Sequence, residues 1–384
     1  MAEVRSVLFV DHAAVPGGAE KSLLLILERL DRSAWRPHLA CTGGQLAQAG
    51  ADAGAVVHRV RMPRLRRSTA APLQLWRGSR ELCRVIHETD ARVVVANTVR
   101  AAWYVAAAAK AARTPFVWYR RDYWLGESRP RFMWLDGLGK RLLCLTAARV
   151  VANSRATAAR QPCPRKLAVI YNGIDADWHR PLGDVGAARR ALGVPVAAPV
   201  VGWVGRLRPG KRPEIFLRVC RLIGSRVPAC HGLVVGGAAS GDDGYALELR
   251  RLSAELGLEE RVVFVGAVED TRPAVEAMDV LLQPGEPEGF GLVNIEAMAM
   301  ERPVVAFRHG ALPEIVRHGR TGLLVAPDDE MAMADAVVEL LQGGERRRAM
   351  GRAARRAVLE TFSIASTVRS VERMLGDTAR AARR

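Results

Sequence analysis

The sequence is poor in the features that mark several protein classes. Its six cysteines, at 41, 83, 144, 163, 220 and 230, form no Cys-x-x-Cys pair and no metal-ligand rhythm. That excludes a disulfide scaffold and a zinc module, and reduced, mostly buried thiols are expected. Aromatic residues make up 5% of the chain, which argues against a nucleic-acid binder, since that class uses aromatic or glycine-rich basic motifs together on one surface. The apolar runs are short and broken by Arg or Lys, well under the ~20 residues of a transmembrane helix. The opening run Val4–Val10 reads as a first strand, not as the apolar core of a signal peptide. Negative charge is scarce: 40 Asp and Glu face 57 Lys and Arg, a formal net charge of +17.

That positive excess is unevenly placed. The net charge is +15 over residues 1–175, −5 over 176–344 and +7 over 345–384. A basic N-terminal half and tail point to an anionic partner, such as a membrane surface, a phosphorylated acceptor or nucleic acid; solvated arginine faces are the other reading, and both stay open. With 384 residues and 49% hydrophobic content the chain can build two cores.

Both halves alternate strand and helix. In the first, Val4–Val10, Val56–Val60, Val93–Ala96, Phe116–Tyr119 and Val150–Ala152 read as strands, with helical patterns over Ser22–Leu30, Leu73–Ile86, Ala101–Ala112 and Leu138–Leu145. In the second, Pro199–Val204, Leu233–Gly237, Val262–Val265, Met278–Leu282 and Val304–Phe307 read as strands, and Glu214–Ile223 and Leu247–Leu256 as helices. This is the pattern of doubly wound parallel sheets, whose ligands bind beyond the strand C-termini. Asn172-Gly173 marks a hinge. Glu345–Arg384 reads as two amphipathic helices split near Thr361-Phe362-Ser363.

The most informative stretch follows the Met278–Gln283 strand: Pro284-Gly285-Glu286-Pro287-Glu288-Gly289-Phe290-Gly291-Leu292-Val293-Asn294-Ile295-Glu296. Glycines at a strand-to-helix turn let backbone N–H groups approach a ligand, and the helix N-terminus favours an anion. Glu288 lies in the loop and Glu296 in the helix. Upstream, Gly205-Arg206-Leu207-Arg208-Pro209-Gly210-Lys211 follows another strand, and Gly17-Gly18 stands between the first strand and its helix. Paired glutamates also fit a glycoside hydrolase, in which two carboxyls flank the bond cleaved; Arg206 and Lys211, cations suited to an anion, argue against it. Asp175-Ala176-Asp177 spells a metal-binding D-x-D, though in a linker rather than after a sheet strand.

Glu288 and Glu296, with seven residues between them around Gly-Phe-Gly, resemble the E-x7-E signature of the GT4 family of retaining glycosyltransferases; Pro303–Ala306 and Gly310–Glu314 extend the likeness. The Gly205-Arg206…Lys211 segment resembles that family's G-R-L…K-G motif, except that Gly210 precedes Lys211 and Arg212 follows it. Arg120-Arg121-Asp122-Tyr123-Trp124 is similar to the family's His-Asp-Tyr-Trp stretch, with Arg121 in place of the His that approaches the transferred sugar.

The resemblance implies a GT-B α/β fold: two facing Rossmann-like domains with parallel sheets and a C-terminal helix crossing back to the N-terminal domain. The implied domains are 1–172 for the acceptor, 173–360 for the nucleotide sugar, and 361–384 as the returning helix. It implies transfer of a hexose-type sugar from a nucleotide-diphosphate sugar, UDP- or GDP-linked, to an acceptor hydroxyl. Glu288, Arg206 and Lys211 would carry the chemistry. Gly17, Gly18, Val268, Gly289, Phe290, Gly291, Leu292 and Glu296 would join them in holding the donor, and Arg121 and Asp122 would lie near sugar or acceptor. No cofactor and no metal is implied, because Arg206 and Lys211 supply the neutralising charge. Retention follows from the resemblance; a same-face, oxocarbenium-like reaction is the expectation. The acceptor is open between a lipid-linked, cell-envelope or polysaccharide species and a soluble small molecule. A cytoplasmic location is expected, with or without peripheral attachment at the inner face of the cell membrane. A basic nucleic-acid- or membrane-binding protein without catalysis is the reading of another class.

Overall fold

The computed structural model describes residues 4–65, 70–121, 133–238 and 243–382. The chain divides into two compact units, one of Met1–Gly173 with Ile364–Arg384, the other of Ile174–Ser363.

The first unit is built on seven strands: β1 (Arg5–Val10), β2 (Trp35–Cys41), β3 (Val56–Arg59), β4 (Ala91–Ala96), β5 (Phe116–Arg120), β6 (Arg149–Ala152) and β7 (Leu167–Val169). They form one sheet in the order β3-β2-β1-β4-β5-β6-β7, and every pairing is parallel. The central strands are apolar throughout because helices cover both faces: Val7, Leu8 and Val10 are fully buried. Leu23, Ile26 and Leu27 of the helix Gly18–Arg29 share one core with Val371, Met374 and Leu375 of the final helix, Ile364–Ala381. The last helix therefore belongs to the N-terminal unit, as the fold class requires.

The second unit repeats the plan with β8 (Val200–Val204), β9 (His231–Val235), β10 (Val262–Gly266), β11 (Val280–Gln283), β12 (Val304–Phe307) and β13 (Gly322–Val325). Their order is β10-β9-β8-β11-β12-β13, again all parallel. Asp279, just before β11, accepts from Arg189 Nη2 at 2.9 Å, Arg347 Nη2 at 3.0 Å and the Val200 N–H at 2.8 Å, tying two helices to the N-terminal end of the sheet.

Both sheets are wound as expected, with three strands and one pairing of cysteines added to the sequence reading. The strand β2 carries Arg36, Pro37 and His38, which interrupt the apolar signal, and β7 and β13 are short. Cys144 and Cys163 form a disulfide, Cα–Cα 5.9 Å, where reduced thiols were expected. Cys144, near the end of the helix Met133–Thr146, and Cys163, just before the turn Pro164–Lys166, are neighbours in space with no sequence signature. Cys41, Cys83, Cys220 and Cys230 are free.

Candidate active site

In the second unit the strand order reverses between β8 and β11. In open parallel sheets ligands bind beyond the strand C-termini at such a point. From β8 the chain delivers Gly205–Lys211, and from β11 it delivers Pro284–Gly291. The two loops are joined where the Glu286 N–H donates to the Gly210 carbonyl at 3.0 Å. Lys211 Nζ donates to Glu288 Oε1 at 2.5 Å, with the two side chains 16% and 25% exposed. Buried Trp203 donates its ring N–H to the Lys211 carbonyl at 3.3 Å, which fastens the lysine backbone to the sheet. Arg206 is exposed and makes no hydrogen bond or ion pair among the described residues. Arg212 instead binds Asp328 Oδ1 at 2.5 Å.

Glu288 is also held from the β12 side. Gly310 has φ +56°, and a Cβ there would stand 2.9 Å from the Glu288 carbonyl oxygen and 3.1 Å from its nitrogen, so only glycine allows this approach. Phe290 is buried and meets Phe362 edge-on at 5.8 Å; its ring anchors the loop. Behind it the helix Leu292–Ala299 starts at Gly291 with no side chain capping it, so its first N–H groups and its dipole are suited to an anion. Glu296 lies one turn beyond Leu292 on the same face, half-buried. Val268 is exposed on the loop after β10, at the same end of the sheet.

Several supporting residues carry no sequence signal of their own. Gly236, after β9, has φ +137°, and a Cβ on it would lie 1.8 Å from the Gly205 carbonyl oxygen. The loop that bears Arg206 thus rests directly on backbone. Gln283, which ends β11, and Asn294 are buried; among the described residues Gln283 Oε1 and Asn294 Oδ1 have no partner. Asp175 Oδ1 accepts from the Asp177 and Trp178 N–H groups at 3.0 Å each, a turn-capping use of the D-x-D carboxylate. Among the described residues no group of three or more His, Cys, Asp or Glu is placed to hold a metal.

In the first unit the order reverses between β1 and β4, and here a chain of polar groups lies beyond the strand ends. Arg121, after β5, donates from Nε to Asn97 Oδ1 at 2.5 Å and from Nη1 to Asn172 Oδ1 at 2.7 Å, and its guanidinium lies 3.9 Å over the Tyr119 ring. Asn97 in turn donates to Asp11 Oδ2 at 2.6 Å. Arg121 is 7% exposed and Asp11 fully buried. Burial, with the Glu20 carboxylate nearby, pushes the Asp11 carboxyl up to about 7. Next to it, His12 is pushed down to about 4 by burial and then by Arg100 and Arg64. Gly17 stands at the N-cap of the helix Gly18–Arg29, and its N–H donates to Glu20 Oε2 at 2.8 Å, so the turn binds its own carboxylate. Sequence reasoning singled out Arg121, Gly17 and Gly18; it missed Asp11, His12, Asn97 and Asn172. Asp122 lies outside the described residues.

Comparison with known proteins follows this division. Residues 16–178 match the family described as Glycosyltransferase Family 4, and residues 198–343 match Glycosyl transferases group 1. The D-inositol 3-phosphate glycosyltransferase of Mycobacterium tuberculosis is 43% identical over 209 residues, which are 53% of this chain and 42% of that protein. The chain thus matches about two-fifths of the length of that curated relative. The crystal structure of Anabaena HepE in complex with UDP and glucose superposes with a TM-score of 0.83 at 26% identity, covering 97% of this chain and 100% of that one. Sucrose-phosphate synthase from Thermosynechococcus elongatus, at 22% identity and TM-score 0.82 over 98% of this chain and 100% of that one, shares the fold. Two family matches that together span most of the sequence, and a Rossmann-like parallel sheet in each of the two units, lead to one conclusion: the chain belongs to the GT4 family of glycosyltransferases, the group 1 glycosyl transferases.

Proposed function

We propose that this protein is a retaining glycosyltransferase that moves a hexose-type sugar from a nucleotide-diphosphate sugar to an acceptor hydroxyl. The observation that carries the reading is the convergence of Lys211 and Glu288, from neighbouring loops, at the strand reversal of the second unit, with exposed Arg206 on the same β8 loop. HepE has been crystallised with UDP-glucose, and that donor class suits this arrangement.

In this reading the second unit holds the donor. Lys211 and Arg206 neutralise the diphosphate as its charge grows in the transition state, which fixed cations do more strongly than water. The uncapped N-terminus of Leu292–Ala299 adds backbone dipoles to the same anion. Glu288 accepts from sugar hydroxyls once the diphosphate has drawn Lys211 away, and Glu296 accepts from the ribose, since a carboxylate oxygen takes hydroxyl donors. Loop backbone from Gly289 to Leu292, and the chain near Val268, complete the donor contacts. The sugar leaves with oxocarbenium character, and the departing phosphate takes the acceptor proton on the same face, so the anomeric configuration is kept. The first unit serves the acceptor through the Arg121 network.

The test is nucleotide release from a panel of UDP- and GDP-sugars, with and without membrane extract, for wild type, Arg206→Ala and Glu296→Gln. Release from one donor, lost in both variants, supports the reading; a folded wild type that releases nothing from any donor counts against it. Inversion of the anomeric configuration in the product, or a covalent sugar trapped on Glu288, would refute this same-face retaining mechanism.

The helix Met133–Thr146 favours peripheral attachment to an anionic membrane as a second element of function. Leu138, Leu142 and Leu145 share one face of it and are 61%, 48% and 76% exposed, beside exposed Arg141. Absence of co-sedimentation with anionic vesicles at low salt would remove that element.

A further inference from the structure

The polar residues beyond the first sheet follow its strand order. Asp11, Asn97, Arg121 and Asn153 come immediately after β1, β4, β5 and β6, and Asn172 follows the end of β7 by three residues. All five are buried. Arg121 stands at the centre of the line. Its Nε and Nη1 donate to Asn97 on one side and Asn172 on the other, and its carbonyl accepts from Asn153 Nδ2 at 2.8 Å.

Each end of the line fixes a piece of backbone. On the β1 side, Asn97 holds the Asp11 carboxylate, whose Oδ1 accepts the Ala13 N–H at 2.9 Å and so sets the turn that leads to Gly17. On the β7 side, three side chains grip the link ahead of Gly173, the last residue of this stretch of the unit. The Tyr119 hydroxyl donates to the Ile170 carbonyl at 3.3 Å, the Thr367 hydroxyl to the Tyr171 carbonyl at 2.9 Å, and Arg121 to the Asn172 side chain. Arg121 also stacks on Tyr119, so it supports two of these three holds.

Arginine suits this place because its rigid fork carries several donors and no acceptor, and can meet two amide oxygens at once. It is also a costly choice, since a buried charge loses its hydration. Burial works against the guanidinium charge; Asp11 and Glu20 offset this, with no ion pair to Arg121 among the described residues. At 7% exposure, little of the side chain is left to touch a substrate. A buried cation bound by neutral amides is explained by what it fixes.

We propose that Arg121 is a positioning residue: it ties the turn after β1 and the link after β7 to the sheet, and acts on the acceptor through those two segments rather than by contact. The action on the acceptor rests on the assignment of the first unit to the acceptor; the tie itself does not.

Hydrogen exchange of the full chain tests the tie without any substrate, because local opening is read segment by segment. Arg121→Met and Arg121→Lys are expected to speed exchange at least tenfold in residues 11–17 and 170–174. Asn97→Ala should do so in the first segment alone, and Asn172→Ala in the second alone. Unchanged exchange in both segments, or an equal rise across the whole first unit, overturns the proposal. Should Arg121→Met fail to fold, the two asparagine variants carry the test on their own segments. In transfer assays with the donor found by nucleotide release, Arg121→Met is expected to lower kcat at least tenfold with the donor KM unchanged. Combined with Asn97→Ala it should fall no further, as residues acting through one network do. Additive losses, a raised KM for one donor sugar, or full activity in Arg121→Lys would show Arg121 acting by contact or by charge alone and overturn the positioning role. Faster exchange in the two segments of a chain that transfers nothing supports the tie and counts against the glycosyl-transfer reading.

Discussion

The contact between Lys211 and Glu288 makes a prediction whose sign is unusual. The carboxylate occupies the cation that the diphosphate is proposed to use, so nucleotide binding has to break an existing pair. Two unit charges 4 Å apart interact by about 4 kcal/mol at an effective dielectric near 20. Both side chains retain some solvent contact, at 16% and 25% exposure, which brings the usable part to about 1–2 kcal/mol. Glu288→Gln is therefore expected to tighten UDP binding by about tenfold, since each ~1.4 kcal/mol is one decade, while abolishing transfer. Lys211→Gln removes a charge-assisted hydrogen bond, about 1.5–3 kcal/mol, and is expected to weaken UDP by ten- to hundredfold. In the double variant the gain from Glu288→Gln should vanish, because no lysine remains to release. Calorimetry with UDP and GDP in parallel, at one fixed ionic strength, reads all four proteins. If Glu288→Gln weakens nucleotide binding as much as Lys211→Gln does, the two groups hold the nucleotide together and do not compete for it.

Other consequences can be checked on stability and pH. Gly236→Ala forces a Cβ to 1.8 Å from the Gly205 carbonyl oxygen at φ +137°, so a loss of roughly 3 kcal/mol or more is expected in denaturant melts. Gly310→Ala meets the Glu288 backbone at φ +56°; it should cost only about 1–2 kcal/mol yet reduce turnover severely, because Glu288 is displaced. Leu375→Ala, at a fully buried position of the final helix, is expected to cost about 2–5 kcal/mol. Asp11 is raised from 3.8 to about 7, so the folded state holds its proton more firmly than the unfolded chain. Its contribution is complete below about pH 4 and is lost as pH rises through about 7, a few kcal/mol in all. His12, lowered to about 4, works the other way between about 4 and 6.5. The stability of wild type minus that of Asp11→Asn, followed from pH 4 to 8, should therefore fall with rising pH; a flat difference refutes the shift.

Much of the architecture was open to reading because buried parallel strands announce themselves. Val7–Val10 and Val280–Leu282 are buried on both faces and appear as unbroken apolar runs. The strand β2 escaped because Pro37 and His38 are polar or lack an N–H yet sit inside the sheet, with Pro37 opposite Val7. The loops proposed to hold the donor could be singled out for a different reason: Glu288, Gly291 and Glu296 lie within one short stretch whose order resembles the E-x7-E signature. The Arg121 network was not, because Asp11, Asn97, Arg121 and Asn172 leave four different strands and meet only after the sheet has formed. Gly236 looks like any glycine at a strand end until the Gly205 carbonyl is seen beneath it.

The first unit is assembled from two stretches far apart in the sequence, with a consequence for biosynthesis. During translation the residues up to Gly173 emerge early but lack Val368, Val371, Met374 and Leu375, whose side chains fill the core beside Leu23, Ile26 and Leu27. The intervening unit is continuous and can complete itself while the ribosome still holds the last helix. Chains usually fold from the N-terminus as they are made; here the first segment synthesised is the last to be finished. Until Ile364–Ala381 has emerged it exposes an apolar groove the length of one helix, so nascent chains stalled before Ile364 are the species that chaperones and proteases should recognise.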